Sequence, residues 1–284
     1  MQQYFSTKKL SALLVALALS SLPARASAAG PSYSVGLGVE FASGDYGTGI
    51  RTDSVFMPFT ATVNPTPRLD FTLEIPFVYQ STSAVVAGQF MGMQSASTGT
   101  QAVMAAMGGP GPRTTASAGD VNNAQYGLGD IKLKAGYVLF TEEEHVPAIR
   151  PNVYVKIPTA DKNKFLGTGA FDGGFAVELT KWFGDWVADG EGGYAIQGKS
   201  DVLAVENYFY YDAGVGYQLT ERLRPIFLVK GSTPTVEGAS ALLEARLRVK
   251  YQVTKHTGID GYLAKGVTTA SPDYGMGLAV FYEF

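Results

Sequence analysis

The chain has 284 residues, a formal net charge of −3, no cysteine, and only 17% charged residues against 34 glycines, 16 tyrosines and 16 phenylalanines. Zero cysteine excludes disulfides, thiol nucleophiles, c-type haem attachment and cysteine-ligated metals, and the chain carries no basic patch of the kind nucleic-acid binding needs. Past the N-terminal segment no apolar run approaches the roughly 18 residues of a membrane-spanning helix, which leaves a soluble β-sandwich and a membrane β-barrel as the classes to separate.

Lys8 and Lys9 precede an uncharged apolar run from Leu10 to Leu22, and Ala26-Ser27-Ala28 fits the small-residue cleavage pattern. This is the layout of a secretory signal peptide, too short and wrongly flanked for a membrane anchor. Residues 1–28 are expected to be cleaved, leaving 29–284 as one exported domain. Loss of Lys8, Lys9 and Arg25 takes the basic residues from 22 to 19 against 25 acids, a mature charge of about −6. No cysteine stands near the cleavage point, so a lipoprotein is not expected.

Down the mature chain, segments alternate with period two. After segments near 32–42 and 53–63, Leu69, Phe71, Leu73, Ile75, Phe77 and Tyr79 oppose Arg68, Asp70, Thr72, Glu74, Pro76 and Val78. Ile131, Leu133, Ala135 and Tyr137 oppose Asp130, Lys132, Lys134 and Gly136; Ile149, Val153, Val155 and Ile157 oppose Arg150, Asn152, Tyr154 and Lys156. Phe175, Val177 and Leu179 oppose Asp172, Ala176 and Glu178. Further segments lie near 186–196, 206–218, 222–230 and 257–265. From Ala241 to Val253, Leu243, Ala245, Leu247, Val249 and Tyr251 oppose Glu244, Arg246, Arg248 and Lys250. The last segment sets Met276, Leu278, Val280, Tyr282 and Phe284 against Gly275, Gly277, Ala279, Phe281 and Glu283.

Length arbitrates between the two classes. A soluble strand usually has about 5–6 residues, whereas a tilted membrane strand needs roughly 9–11. The long segments therefore predict an all-β, up-and-down antiparallel transmembrane barrel of about 12 strands, an even number that puts both termini on the periplasmic side. Short connections at 64–67, 140–146, 182–185, 220–221 and 254–256 alternate with longer ones, as such barrels require. Tyr137, Phe140, Trp182, Trp186, Tyr217, Tyr251, Tyr282 and Phe284 gather beside the short turns, as an interfacial girdle would. The expected setting is the bacterial outer membrane, with its lipid as solvent for the outer face.

The segment at about 80–126 breaks the regularity. It is rich in Gly, Ala, Ser and Thr, with Met91, Met93, Met104 and Met107. Two readings stand side by side: a constriction loop in the lumen with methionines lining an adaptable apolar path, and an extracellular loop with no fixed position.

Gly127-Leu128-Gly129-Asp130 opens a strand, Lys156-Ile157-Pro158-Thr159 closes one, and Leu166-Gly167-Thr168-Gly169 followed by Asp172 and then Gly193-Tyr194 complete a set of motifs. Together these resemble the phenol-degradation meta-pathway (MetA) outer-membrane transporter family, over roughly 32–284 and best at 127–195. Ala160 departs from the glycine often found there, and 88–120 looks like an insertion. The resemblance implies a channel or transporter for aromatic or other small apolar compounds.

On the residues alone, the expected lumen lining is Arg68, Asp70, Glu74, Asp130, Lys132, Lys134, Arg150, Lys156, Asp172, Arg222, Arg224, Glu244, Arg246, Arg248 and Lys250. Such interleaved charges can fill and rigidify a small barrel or line a narrow polar pore. The basic cluster on the last of these strands would favour anionic solutes near the exit. A closed structural or adhesive barrel without transport is the alternative reading. An enzyme is not expected: the chain has only His145 and His256, both in predicted periplasmic turns, without a serine placed for a triad. Neither cofactor nor metal is implied, since two histidines alone make a poor site. Tyr282 and Phe284 resemble the C-terminal aromatic signal read by the barrel-assembly machinery, the one protein partner expected. The solute and the oligomeric state are not legible.

Overall fold

A computed structural model describes residues 30–47, 49–82, 124–200 and 204–284. The predicted signal peptide, and Met91, Met93, Met104 and Met107, lie outside the described residues. Alternating segments form strands β1 (Ser32–Gly44), β2 (Thr52–Thr66), β3 (Leu69–Gln80), β4 (Gln125–Leu128), β5 (Ile131–Tyr137), β6 (Ala148–Ile157), β7 (Asp172–Phe183), β8 (Trp186–Ile196), β9 (Tyr208–Tyr217), β10 (Leu223–Ser232), β11 (Leu242–Gln252), β12 (Thr257–Gly266) and β13 (Tyr274–Glu283). Consecutive strands pair antiparallel, except that β4 and β5 both pair with β3, and β1 pairs with β13, so the sheet closes on itself. Because β4 and β5 are two halves of one spanning strand against β3, this is a 12-strand barrel. Closure removes the unpaired edge that hydrocarbon cannot solvate.

The two faces invert the pattern of a soluble protein. Phe227, Leu247 and Leu263 point outward, 57%, 53% and 62% exposed, while Arg248 and Asp260 point inward at 2% and 0%. Only a hydrocarbon environment makes that arrangement favourable. On β11 the alternation of Leu243, Leu247 and Val249 with Glu244, Arg246 and Arg248 places each side chain on the face its polarity requires.

One irregularity separates β4 from β5. Phe77 opposes Leu128 and Glu74 opposes Lys132, so one extra residue has entered the strand at Gly129-Asp130. It is a β-bulge, and it flips the parity so that Asp130 turns into the lumen. Gly129 is needed there: its N–H donates to the Pro76 carbonyl at 2.8 Å, and an added Cβ would lie 2.9 Å from the Pro76 side chain.

Outward aromatics mark both rims. On the periplasmic side Trp186 meets Tyr217 with ring centroids 5.0 Å apart, and Tyr282 meets Phe284 edge-on at 5.0 Å. Phe175, Tyr194 and Phe209 form a second group at the extracellular ends, Tyr194 and Phe209 only 4.6 Å apart. Trp182 departs from the sequence expectation. It shares the inner parity of Glu178 and Thr180 on β7 and packs beneath the Arg224 guanidinium at 4.6 Å, so it belongs to the lumen and not to the girdle. The tight turn between β7 and β8 relies on Gly184, whose φ of +62° is left-handed.

Candidate functional site: the lumen and its two mouths

Inner-face residues of β3 to β9 form a chain of ion pairs at mid-barrel. Arg150 on β6 donates to Asp70 on β3 at 2.6 Å and to Glu178 on β7 at 2.5 Å. To reach Asp70 its guanidinium crosses β5 over Gly136, the residue directly opposite Asp70, where any Cβ would collide with it. Glu178, Glu191 and Asp212 stand directly opposite one another on β7, β8 and β9. Like charges in that register repel. Lys134 offsets this, with Nζ 3.1 Å from Glu178 and 3.8 Å from Glu191. Glu74 and Lys132 face each other across β3 and β5, and Lys230 stands between Asp212 and Glu244.

On the opposite wall Glu244 accepts from Arg246 at 2.8 Å, and Asp260 from Arg248 at 2.5 Å. Tyr262 on β12 repeats the crossing device: its ring overlies Gly277 of β13 and its hydroxyl donates to Glu40 of β1 at 2.6 Å. Tyr154 over Gly174, Tyr210 over Gly193 and Phe281 over Gly258 use the same gaps. A glycine on one strand thus lets a long side chain pass to the next strand but one. Gly277→Val is expected to displace Tyr262 from Glu40 and destabilise the barrel by about 1–3 kcal/mol, the cost of overpacking; urea titration of the refolded protein checks it.

The extracellular end is built differently. Lys156, the last inward residue of β6, lies 3.0 Å from Asp130, 2.5 Å from Asp172 and 2.8 Å from the Thr168 hydroxyl. Around this cation the β6–β7 connection folds inward. Thr159 Oγ1 accepts from Ile131 N–H and donates to the Gly129 carbonyl, and Ala160 N–H donates to Asp130 at 3.0 Å. A 3₁₀ turn at Lys162–Lys164, capped by Asp161, ends in left-handed Phe165 (φ +55°) and delivers Leu166 to the loop tip. Leu166 is fully buried among Phe56, Val78 and Ala42, inner-face residues of β1 to β3 near their extracellular ends. Three of the motifs that carried the family resemblance therefore meet in space: the bulge, the lysine and the loop form one latch, while Gly193-Tyr194 lies apart on β8.

At the periplasmic end a small depression opens among Arg222, Arg224, Lys250, Gln252 and Phe281. Two of the expected lining residues are corrected. Arg68 and Arg222 lie in periplasmic turns and are exposed, not on the spanning wall, because β3 begins at Leu69 and β10 at Leu223. Arg222 nevertheless borders the depression; Arg68 does not. Asp70, Glu74, Lys132, Lys134, Arg150, Lys156, Asp172, Arg224, Glu244, Arg246, Arg248 and Lys250 all take the inner parity of their strands, and Asp130 turns inward at the bulge. Leu166 entered the sequence reading only as part of a motif and not as a site residue, and the glycine-crossing tyrosines were not singled out from sequence. An inward aromatic opposite a glycine on the paired strand was the available signal for the tyrosines. Among the described residues no group of three or more His, Asp or Glu side chains is arranged to hold a metal ion.

A closed barrel with an apolar belt, charged interior and inward extracellular loop is an outer-membrane β-barrel. The chain belongs to the family described as "Putative MetA-pathway of phenol degradation", whose model matches residues 52–284. Among solved structures it is similar to the COG4313 outer membrane channel from Pseudomonas putida F1, at 16% identity over 93% of this chain and 99% of that one, with a TM-score of 0.60. The KdgM porin in complex with disordered oligogalacturonate matches at 9% identity, 88% and 99% coverage and TM-score 0.50. The NanC porin matches at 8%, 87% and 98%, also with a TM-score of 0.50. At these identities the likeness is one of fold. No curated protein matches the chain at a significant level.

Proposed function

We propose that the protein is an outer-membrane channel for small aromatic or otherwise apolar molecules, not an enzyme. The observation that carries this reading is the apolar cluster of Leu166, Phe56, Val78 and Ala42 at the extracellular end, above the charged belt at mid-barrel. An apolar constriction disfavours ions and hydrated sugars, which would lose water there without compensation, and accepts an uncharged ring. Membership of a family described by phenol degradation supports the same class of cargo. In this reading residues 1–28 are a cleaved export signal in a Gram-negative cell. Residues 29–284 are the mature barrel.

The test is initial uptake of radiolabelled toluene by Gram-negative cells expressing either the wild-type chain or Leu166→Asp. Wild type is expected to exceed the empty vector by about ten-fold, a difference of 1.4 kcal/mol in the barrier. The variant should fall most of the way back. Equal rates for wild type and vector at equal surface expression would overturn the reading.

A second reading, a closed structural barrel, is favoured by one observation: the mid-barrel ion pairs leave Arg248, Glu74 and Asp260 at most 2% exposed. Single-channel recording separates the two, since a closed barrel gives no conductance despite correct folding.

Assembly is assigned to the C-terminal aromatic pair. Phe284 is 68% exposed on the lipid side, and its N–H donates to the Tyr33 carbonyl on β1, beside the closing seam. Deleting Phe284 is expected to lower the amount of barrel inserted in cells while leaving refolding into detergent micelles nearly unchanged. Heat-modifiable migration in both settings reads the difference; equal loss in the two would refute an assembly role.

A further inference from the structure

We infer that Leu166 occupies the place of a solute. The pocket it fills is a binding site for an uncharged aromatic ring carrying one hydrogen-bond donor, with Phe56, Val78 and Ala42 beneath the ring and Glu40 and Tyr46 as its polar partners. The inference rests on the channel reading and names what the apolar constriction recognises.

Phe56 and Val78 stand directly opposite each other on β2 and β3, and Ala42 completes the apolar surface from β1. The side chains that cover it, Leu166 and Ala160, belong to the β6–β7 loop and not to the wall. Removing a leucine from such a site leaves a dry space that accepts a benzene ring. The loop holds Leu166 there at a cost. Tyr46 and Phe165 are the non-glycine residues with left-handed φ among the described residues, at +52° and +55°. L-residues adopt that conformation only where their surroundings impose it. Phe165 precedes Leu166, so withdrawal of the leucine relieves the strain and favours its exchange for a ring.

Two buried oxygens supply the polar half. Glu40 stands directly opposite Phe56 on the paired strand, and its Oε2 accepts from the Tyr262 hydroxyl at 2.6 Å. Its Oε1 has no hydrogen-bond partner among the described residues, although Glu40 is only 1% exposed. Of the cations facing Glu40, Arg246 is paired with Glu244 and Lys230 stands between Asp212 and Glu244; neither bonds Oε1. The β1–β2 loop bends at Tyr46, where Asp45 Oδ1 accepts from the Gly47 N–H at 2.9 Å, and the Tyr46 side chain is buried. Its hydroxyl faces Ser54, the residue directly across from Ala42, without a bond of normal geometry. Burial raises the pKa of that hydroxyl, so it stays a neutral O–H donor. Buried oxygens without partners are costly. A solute O–H satisfies Glu40 Oε1, and the solute oxygen accepts from Tyr46. A bare ring leaves both atoms unsatisfied, and an ion loses its water against Phe56 and Val78.

In the mature chain refolded in micelles, Leu166→Ala opens the pocket while Lys156 still anchors the loop through Asp130 and Asp172. Fluorine NMR titration of this variant with para-fluorophenol is expected to show saturable binding above the linear background of micelle partitioning. Affinity should be about ten-fold higher than in wild type, where Leu166 competes, and about ten-fold higher than for fluorobenzene. Adding Tyr46→Phe or Glu40→Gln to Leu166→Ala should each weaken para-fluorophenol binding by about ten-fold, the loss of one hydrogen bond to a buried partner, and leave fluorobenzene unchanged. Heat-modifiable migration reports whether each variant has folded, and Tyr46→Phe, on a loop, carries the test alone if Glu40→Gln does not. A purely linear response to para-fluorophenol, equal affinity for fluorobenzene, equal affinity in wild type, or unchanged affinity in either folded hydrogen-bonding variant would overturn the proposal. Equilibrium binding in micelles does not depend on transport, so toluene uptake without saturable binding refutes only the pocket. Saturable binding without uptake refutes only the channel.

Discussion

Arg150→Met is expected to lower the unfolding free energy of the refolded barrel by about 3–5 kcal/mol, the cost of removing one partner from a buried ion pair. Two carboxylates lose their shared cation. Asp70 has Arg150 as its closest basic partner at 2.6 Å, and Glu178 keeps Lys134, already divided between Glu178 and Glu191, and the neutral Asn152 amide at 3.1 Å. Direct opposition of Glu178, Glu191 and Asp212 makes the loss larger, since the Arg150 charge lies at one end of that row. Methionine preserves the stem and so separates charge from volume. The double variant Arg150→Met/Asp70→Leu should recover part of the loss, because it removes one of the stranded acids along with the cation. Urea-dependent unfolding in lipid vesicles, followed by heat-modifiable migration, measures both. A single-variant loss below about 1 kcal/mol, the scale of an exposed pair, would mean that water reaches this level of the lumen and screens it.

Lys156→Met is expected to change the extracellular mouth more than any other single substitution. Lys156 touches Asp130, Asp172 and Thr168 at once. Without it, two buried carboxylates repel across the root of the β6–β7 loop, and the loop that holds Leu166 among Phe56 and Val78 loses its anchor. The stability cost is again about 3–5 kcal/mol. The functional sign is opposite to that of a simple defect: planar-bilayer conductance should rise as the apolar seal is released. Leu166→Gly keeps the latch and removes the tip, and should raise conductance with a much smaller loss of stability. If Lys156→Met lowers stability while conductance stays at the wild-type value, the latch is structural only and the seal lies elsewhere.

The architecture was legible in sequence because the membrane imposes a local rule. Every second residue must suit hydrocarbon, and no partner elsewhere in the chain can relax that. The run of Leu243, Ala245, Leu247 and Val249 against Glu244, Arg246 and Arg248 therefore specified a spanning strand and its inner face together. Strand number and the alternation of short and long connections follow from the same constraint. Arg68 and Arg222 were misassigned at strand ends, where parity continues on paper past the last ladder bond. Trp182 was misplaced for another reason. Aromatics suit both a girdle and a packed lumen, and only its parity with Glu178 separates the two.

What remained hidden was everything that depends on which strands become neighbours. Sequence composition and period determined a membrane barrel of about 12 strands with charged interior and lipid-facing exterior, because those are properties of single strands against their solvent. Pairing decided the rest. Arg150 reaches Asp70 because closure and register set Gly136 between them, and Leu166 seals against Phe56 and Val78 because a bulge at Gly129-Asp130 and a lysine on another strand draw its loop inward. Ion pairs and seals are relations between distant residues. They exist only after the barrel has closed.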